Sequence, residues 1–126
     1  MSERFTLEFP AKAQYMLPLR LYISGLAARM DFSVDSVEDI KTAVSEACTL
    51  LLCFGGDRLQ AEIVAEADKM DLCICVTGEA TKKADAEGVE AAIFGEMIMQ
   101  AMAQNCRVQK DENGRTTRVE LGFSEQ

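Results

Sequence analysis

The sequence predicts an α+β fold: a two-layer α/β sandwich whose mostly antiparallel mixed sheet is covered on one face by three helices. Two observations predict it. Segments with an apolar residue at every second position are joined in pairs by tight turns, which implies largely antiparallel pairing. Three longer segments repeat apolar residues at i, i+3 and i+4, so each can lay one stripe on the same sheet face. The 126 residues are expected to form a single domain, 1–126, long enough to bury about two-thirds of its unfolded surface.

Phe5, Leu7 and Phe9 alternate with polar residues and stop at Pro10, giving the first strand. From about Gln14 to Arg29, Leu19, Tyr22, Ile23 and Leu26 mark a helix in which Pro18 is tolerable only near the first turn. Asp31-Phe32-Ser33 breaks it, and Ser33 or Asp35 can cap a second helix, Val34 to Phe54, which Gly55-Gly56 ends. Leu59, Ala61, Ile63 and Ala65 make a strand that Asp68-Lys69 turns back into a strand from Met70 to Val76. Residues 77–88 are small and polar and are expected to be a loop. A third helix, roughly Val89 to Gln104, carries Ile93, Met97, Ile98, Ala101 and Met102 as its apolar face. Its methionines Met97, Met99 and Met102 are expected as core filler ahead of an adaptable binding surface. Cys106, Val108 and Lys110 lead to Glu112-Asn113-Gly114, where Asn-Gly supplies φ > 0 for a hairpin. Thr117, Val119, Leu121 and Phe123 then alternate along the last strand.

Charge and cysteine content limit the function. With 21 acidic against 13 basic residues the net charge is −8. No basic patch suited to phosphates is present, which argues against nucleic-acid binding. An acidic surface suits solubility or a basic protein partner. No apolar run approaches the roughly 18 residues of a membrane span and no leader is evident, so a cytoplasmic location is expected. None of the five cysteines is spaced as CxxC. Cys48 and Cys106 fall at apolar positions, and Cys73 and Cys75 share one strand face, a pattern expected of reduced, buried thiols. There is no histidine, and a thiolate metal site would need ligands converging from distant elements, so no metal ligand is assigned.

The second helix holds the candidate site. Val37, Ile40, Val44, Ala47 and Leu51 form its core stripe, widened by Ala43, Cys48 and Leu52. Glu46 and Leu50, at i and i+4, share a face about 200° from Val44 at about 100° per residue. A leucine on that face either widens the buried surface or replaces a polar functional residue.

Three stretches and a tail resemble the anti-sigma-factor serine kinases of the histidine-kinase-like (GHKL) ATPase superfamily. They are Phe9-Pro10-Ala11-Lys12, Leu19-Arg20 through Leu26-Ala27, Ile40-Lys41-Thr42-Ala43-Val44-Ser45-Glu46-Ala47-Cys48-Thr49 and Gly114-Arg115-Thr116-Thr117-Arg118-Val119. The resemblance implies the Bergerat-type ATPase fold of that superfamily, with a glutamate base on the long helix and an asparagine four residues on that holds Mg²⁺. Glu46 matches the glutamate, while Leu50 stands for the asparagine and offers no oxygen to Mg²⁺. The adenine-binding aspartate of an Asp-x-Gly-x-Gly motif falls on Gly78, with Ala80 and Lys82 in place of its glycines. Glu79 is one residue out of register. The phosphate-cradling Gly-x-Gly is reduced to Ile93-Phe94-Gly95, leaving Gly95. A threonine of the last hairpin is matched by Thr116 or Thr117, although threonine on a strand needs no functional explanation.

Three of four motif elements are therefore altered, and Glu46 is best explained as a relic or a helix-surface charge. What the resemblance then implies is a regulatory binding protein, anti-sigma-factor-like, with no cofactor and a degenerate ATP site at Leu50, Gly78, Gly95, Thr116 and Thr117. Its partners would be a sigma factor or an anti-anti-sigma protein, with Arg20 on the first helix available to a carboxylate and a homodimer as the assembly. The alternatives are an active serine/threonine protein kinase using ATP and Mg²⁺, and a thiol- or metal-dependent protein.

Overall fold

A computed structural model describes residues 1–83 and 85–125. Ala84, inside the expected loop, and Gln126, the end of the expected domain, lie outside the described residues. The chain runs β1 (Glu3–Pro10), a 3-10 turn (Ala13–Tyr15), α1 (Met16–Ala28), α2 (Val34–Leu52), β2 (Arg58–Glu66), β3 (Lys69–Thr77), α3 (Ala86–Met102), β4 (Asn105–Lys110) and β5 (Thr116–Ser124). This is the α+β class that the pattern predicts.

The five strands form one sheet in the order β1-β2-β3-β5-β4, and every neighbouring pair is antiparallel. The expected mixed character is therefore absent. β4 does run parallel to β3, but β5 is inserted between them, so no parallel ladder forms. The register places Phe5 opposite Ile63, Ile63 opposite Leu72 and Leu72 opposite Leu121. One row of apolar side chains thus faces the helices, and Arg4, Glu62, Asp71 and Glu120 face away.

α2 lies between α1 and α3 and carries most of the helical core. Ile40, Ala43, Val44, Ala47, Cys48, Leu50 and Leu51 are all buried on it. Each fully buried large aliphatic residue contributes about 1.5–3 kcal/mol relative to exposure. Ser33 caps this helix, its Oγ accepting from the Ser36 N–H at 3.1 Å, and Asp35 sits in the first turn without capping it. Pro18 occupies the first turn of α1, where its missing N–H has no helical partner to lose.

Several boundaries move. α3 begins at Ala86, because Asp85 accepts a 2.7 Å hydrogen bond from the Gly88 N–H and caps it. The β2–β3 turn is Ala67-Asp68, one residue earlier than expected, with Ala67 at φ +50. In the last hairpin only Gly114 has positive φ. The Asp111 carboxylate holds that turn by accepting from the N–H groups of Asn113 (2.9 Å) and Arg115 (3.0 Å). Of the cysteines only Cys48 is buried. Cys73 and Cys75 lie half-buried on the sheet face away from the helices, and Cys106 is half-buried on β4. Alternation puts Cys73 and Cys75 opposite to Leu72 and Ile74, so they could not share the core.

The apolar face expected for α3 is only partly right: Met102 packs half-buried against the core and Ile98 is half-buried, while Ala101 is exposed. Ile93 and Met97 are exposed, and the buried residues of this helix are Gly95 and Met99. α3 approaches α2 closely at Gly95, and Val89, Ile93, Phe94 and Met97 are left exposed while Met99 is buried.

Candidate functional site

The expected site residues fall in two neighbourhoods and one outlying loop. The first neighbourhood is the seam where α2, α3 and the β4–β5 hairpin meet. Leu50, only 3% exposed, points into this seam beside Ala92, Ile93 and Thr116. The space left there is a cavity of about 80 Å³, with Glu96 and Lys110 paired at 3.5 Å on its rim. Sites for drug-sized ligands measure about 300–1,000 Å³. Thr116 is buried at this seam, brought inward by a register shift at Gln109/Lys110. Thr117 is not part of it, since its Oγ1 donates to the Gln109 carbonyl at 3.3 Å.

The second neighbourhood lies one turn back along α2. Glu46 is half-buried, and its carboxylate rests on Gly95 of α3. On the other side Glu46 borders a cleft of about 260 Å³ shared with Arg20, Lys41 and Ser45. Arg20 is not free in solvent. Its Nη1 donates to Ser45 Oγ at 3.4 Å, and its Nε is buried without a hydrogen-bond partner among the described residues. Glu46, Gly95 and Arg20 are therefore close in space although 26 residues separate Arg20 from Glu46 in the sequence.

Gly78 belongs to neither group. It is exposed at φ +88, and a Cβ there would lie 2.4 Å from Asp57 Oδ2. The space a side chain at 78 would take is filled by another carboxylate.

Arg115 has a role that sequence patterning did not assign. Its side chain is buried, and its guanidinium donates to the Gly55 carbonyl at 2.8 Å and the Gly78 carbonyl at 3.0 Å. It thereby ties the turn after α2 to the turn after β3. Gly56 leaves room for it, since a Cβ there would lie 3.0 Å from Arg115 Nη2 and 2.5 Å from Val76. The only sequence signal was its place within the Gly114-Arg115-Thr116 stretch.

Burial acts on three of the five thiols, most strongly on Cys48. Burial pushes Cys48 up to about 12. Cys73 and Cys106 are also raised, chiefly by burial, with Glu96 adding to the shift at Cys106. Among the described residues no group of three or more Cys, Asp or Glu side chains is placed to hold a metal ion. No helix of the described residues is long and apolar enough to cross a membrane.

No family model matches the chain. It is similar to serine-protein kinase RsbW from Bacillus thuringiensis (strain Al Hakam), Bacillus cereus (strain B4264) and Bacillus anthracis (strain CDC 684 / NRRL 3495), at 49% identity over 47 residues in each. The match takes in 37% of this chain and only 29% of the length of each of these curated relatives.

Proposed function

We propose that this chain is a non-catalytic, anti-sigma-factor-like regulatory protein that keeps a histidine-kinase-like ATPase fold in one domain, 1–126, and has lost the nucleotide site. Leu50 carries the proposal. It fills the seam where a metal-bound nucleotide would sit, and the remaining cavity of about 80 Å³ is several times too small for ATP. Its side chain supplies no oxygen to Mg²⁺, and position 78 supplies no carboxylate to adenine. The residues present do not fit Mg·ATP, and no cofactor is assigned.

In this proposal the chain acts in the cytoplasm as a homodimer, binds no nucleic acid or membrane, sequesters a sigma factor and is released by an anti-anti-sigma protein. Support for the partner class comes from the partial similarity to serine-protein kinase RsbW together with the motif resemblance. Support for the surface comes from the α1–α2 cleft, where Arg20 keeps an Nε without a hydrogen-bond partner among the described residues, while Lys41 beside it is paired with Glu38 at 2.9 Å. A second possibility, an active serine/threonine kinase, is favoured by the name of those relatives and by Glu46 at the α2–α3 seam. The thiol-dependent alternative has no such support, because burial raises the thiols of Cys48, Cys73 and Cys106.

Calorimetric titration with ATP and Mg²⁺ separates the first two. No binding tighter than about 100 μM, or −5.5 kcal/mol, is expected, and a tighter constant would favour the kinase. Recovery of a sigma factor from the source organism by the wild-type chain, lost on Arg20→Glu, tests the partner surface. Equal recovery by both would place the contact elsewhere.

A further inference from the structure

We propose that the outward face of α3 is a docking surface for a basic amphipathic helix of another protein, separate from the α1–α2 cleft. The described residues leave nine large apolar side chains exposed, and four belong to this one helix: Val89 (47%), Ile93 (57%), Phe94 (64%) and Met97 (60%). Val89, Ile93 and Met97 recur at i, i+4 and i+8, so they form a continuous stripe along the axis, with Phe94 beside it. Scattered exposed leucines need no explanation, but a contiguous stripe on one helix marks an interaction site.

Charge identifies the occupant. Residues 85–102 contain Asp85, Glu87, Glu90 and Glu96 and no lysine or arginine. Asp85 is used as the helix cap and Glu96 is paired with Lys110. By helical phase, at about 100° per residue, Glu90 lies between Met97 and Phe94, and Glu87 lies at the edge beyond Phe94. A second copy packing the same face would set these carboxylates against one another, which costs rather than gains. A partner helix with leucine-like residues on one side and lysine or arginine beside them satisfies both the stripe and its acidic border. The exposed residues Leu17 and Leu21 of α1 have no such border, because α1 contains no acidic residue. α2 separates the two helices, so the two surfaces could be occupied independently.

A synthetic peptide of about 18 residues, leucine on one helical face and lysine on the other, serves as probe, with its leucine/glutamate counterpart as control. Titrated into the ¹⁵N-labelled chain, the lysine peptide should perturb amides of residues 86–101 first, and its affinity should fall as salt rises from about 0.05 to 0.5 M. Phe94→Lys should weaken it about tenfold or more, while Leu21→Lys should leave it within about twofold of wild type. An unchanged amide spectrum away from position 94 verifies that the variant folds. Equal binding of the glutamate peptide, perturbation centred on α1 or the open sheet face, or sedimentation showing a dimer that Phe94→Lys dissociates would each overturn the proposal.

Discussion

The carboxylate of Glu46 on α2 lies over Gly95 of α3, with Oε2 only 2.6 Å from where a Cβ on Gly95 would stand. Two of the positions that resemblance connects to a nucleotide site are thus packed on each other. This contact is part of what brings α3 close to α2 and turns Ile93 and Met97 outward.

Gly95→Ala should be neutral or stabilising by up to about 1 kcal/mol. The opposing atom is the far end of a flexible side chain, which can swing aside, and alanine is favoured over glycine within a helix by about that amount. Gly95→Leu should instead cost about 1–3 kcal/mol by forcing the helices apart. Urea unfolding of both variants checks this, and a large loss for alanine would mean that Glu46 is held rigidly.

Leu50→Asn should lower stability by about 1–3 kcal/mol, through lost burial and an amide without room for its hydrogen bonds. It should not create Mg·ATP binding, because Gly78 still lacks a carboxylate. An unchanged melting temperature would indicate that the seam opens to water.

Arg115→Met should destabilise by about 2–4 kcal/mol, since two charge-assisted hydrogen bonds are lost and the Gly55 and Gly78 carbonyls are left without that donor. Arg115→Lys should recover only part, because a single ammonium cannot match the guanidinium fork. Faster hydrogen exchange at residues 55–57 and 77–79 would accompany both losses. Unchanged exchange there would show that the two turns hold without the arginine.

Cys48 should resist alkylation at pH 8 in the native protein while the half-buried thiols react, as read by mass spectrometry after iodoacetamide. With its pKa pushed up to about 12, roughly one thiol in ten thousand is ionised at that pH. The same shift has a stability consequence. The unfolded thiol ionises near 9 and the folded one near 12, so this contribution is complete below pH 9 and is lost as pH rises towards 12. Cys48→Ala should flatten that alkaline dependence. A wild-type stability that stays level through this window would count against a buried, neutral thiol.

The sequence by itself determined the α+β class, the element order and the faces of the central strands. Period-two and helical repeats report directly which side of a strand or helix must leave water, and Leu59, Ile63, Leu72, Ile74 and Leu121 are all buried on the predicted side. The cap of α2, narrowed to Ser33 or Asp35, and the first-turn Pro18 were legible for a similar reason, because their effects act within one helical turn. Other features depended on contacts between distant segments. The inward face of α3 was set by how closely Gly95 lets it approach Glu46, not by where its apolar residues were densest. Leu50, ambiguous on a helical wheel, is buried because a third helix covers it. The contact of Arg20 with Ser45, the meeting of Gly78 with Asp57, and the Arg115 tie between two turns each join residues 21 or more positions apart. No local periodicity encodes such pairings, since they arise only when the packing of sheet and helices fixes which loops and faces meet.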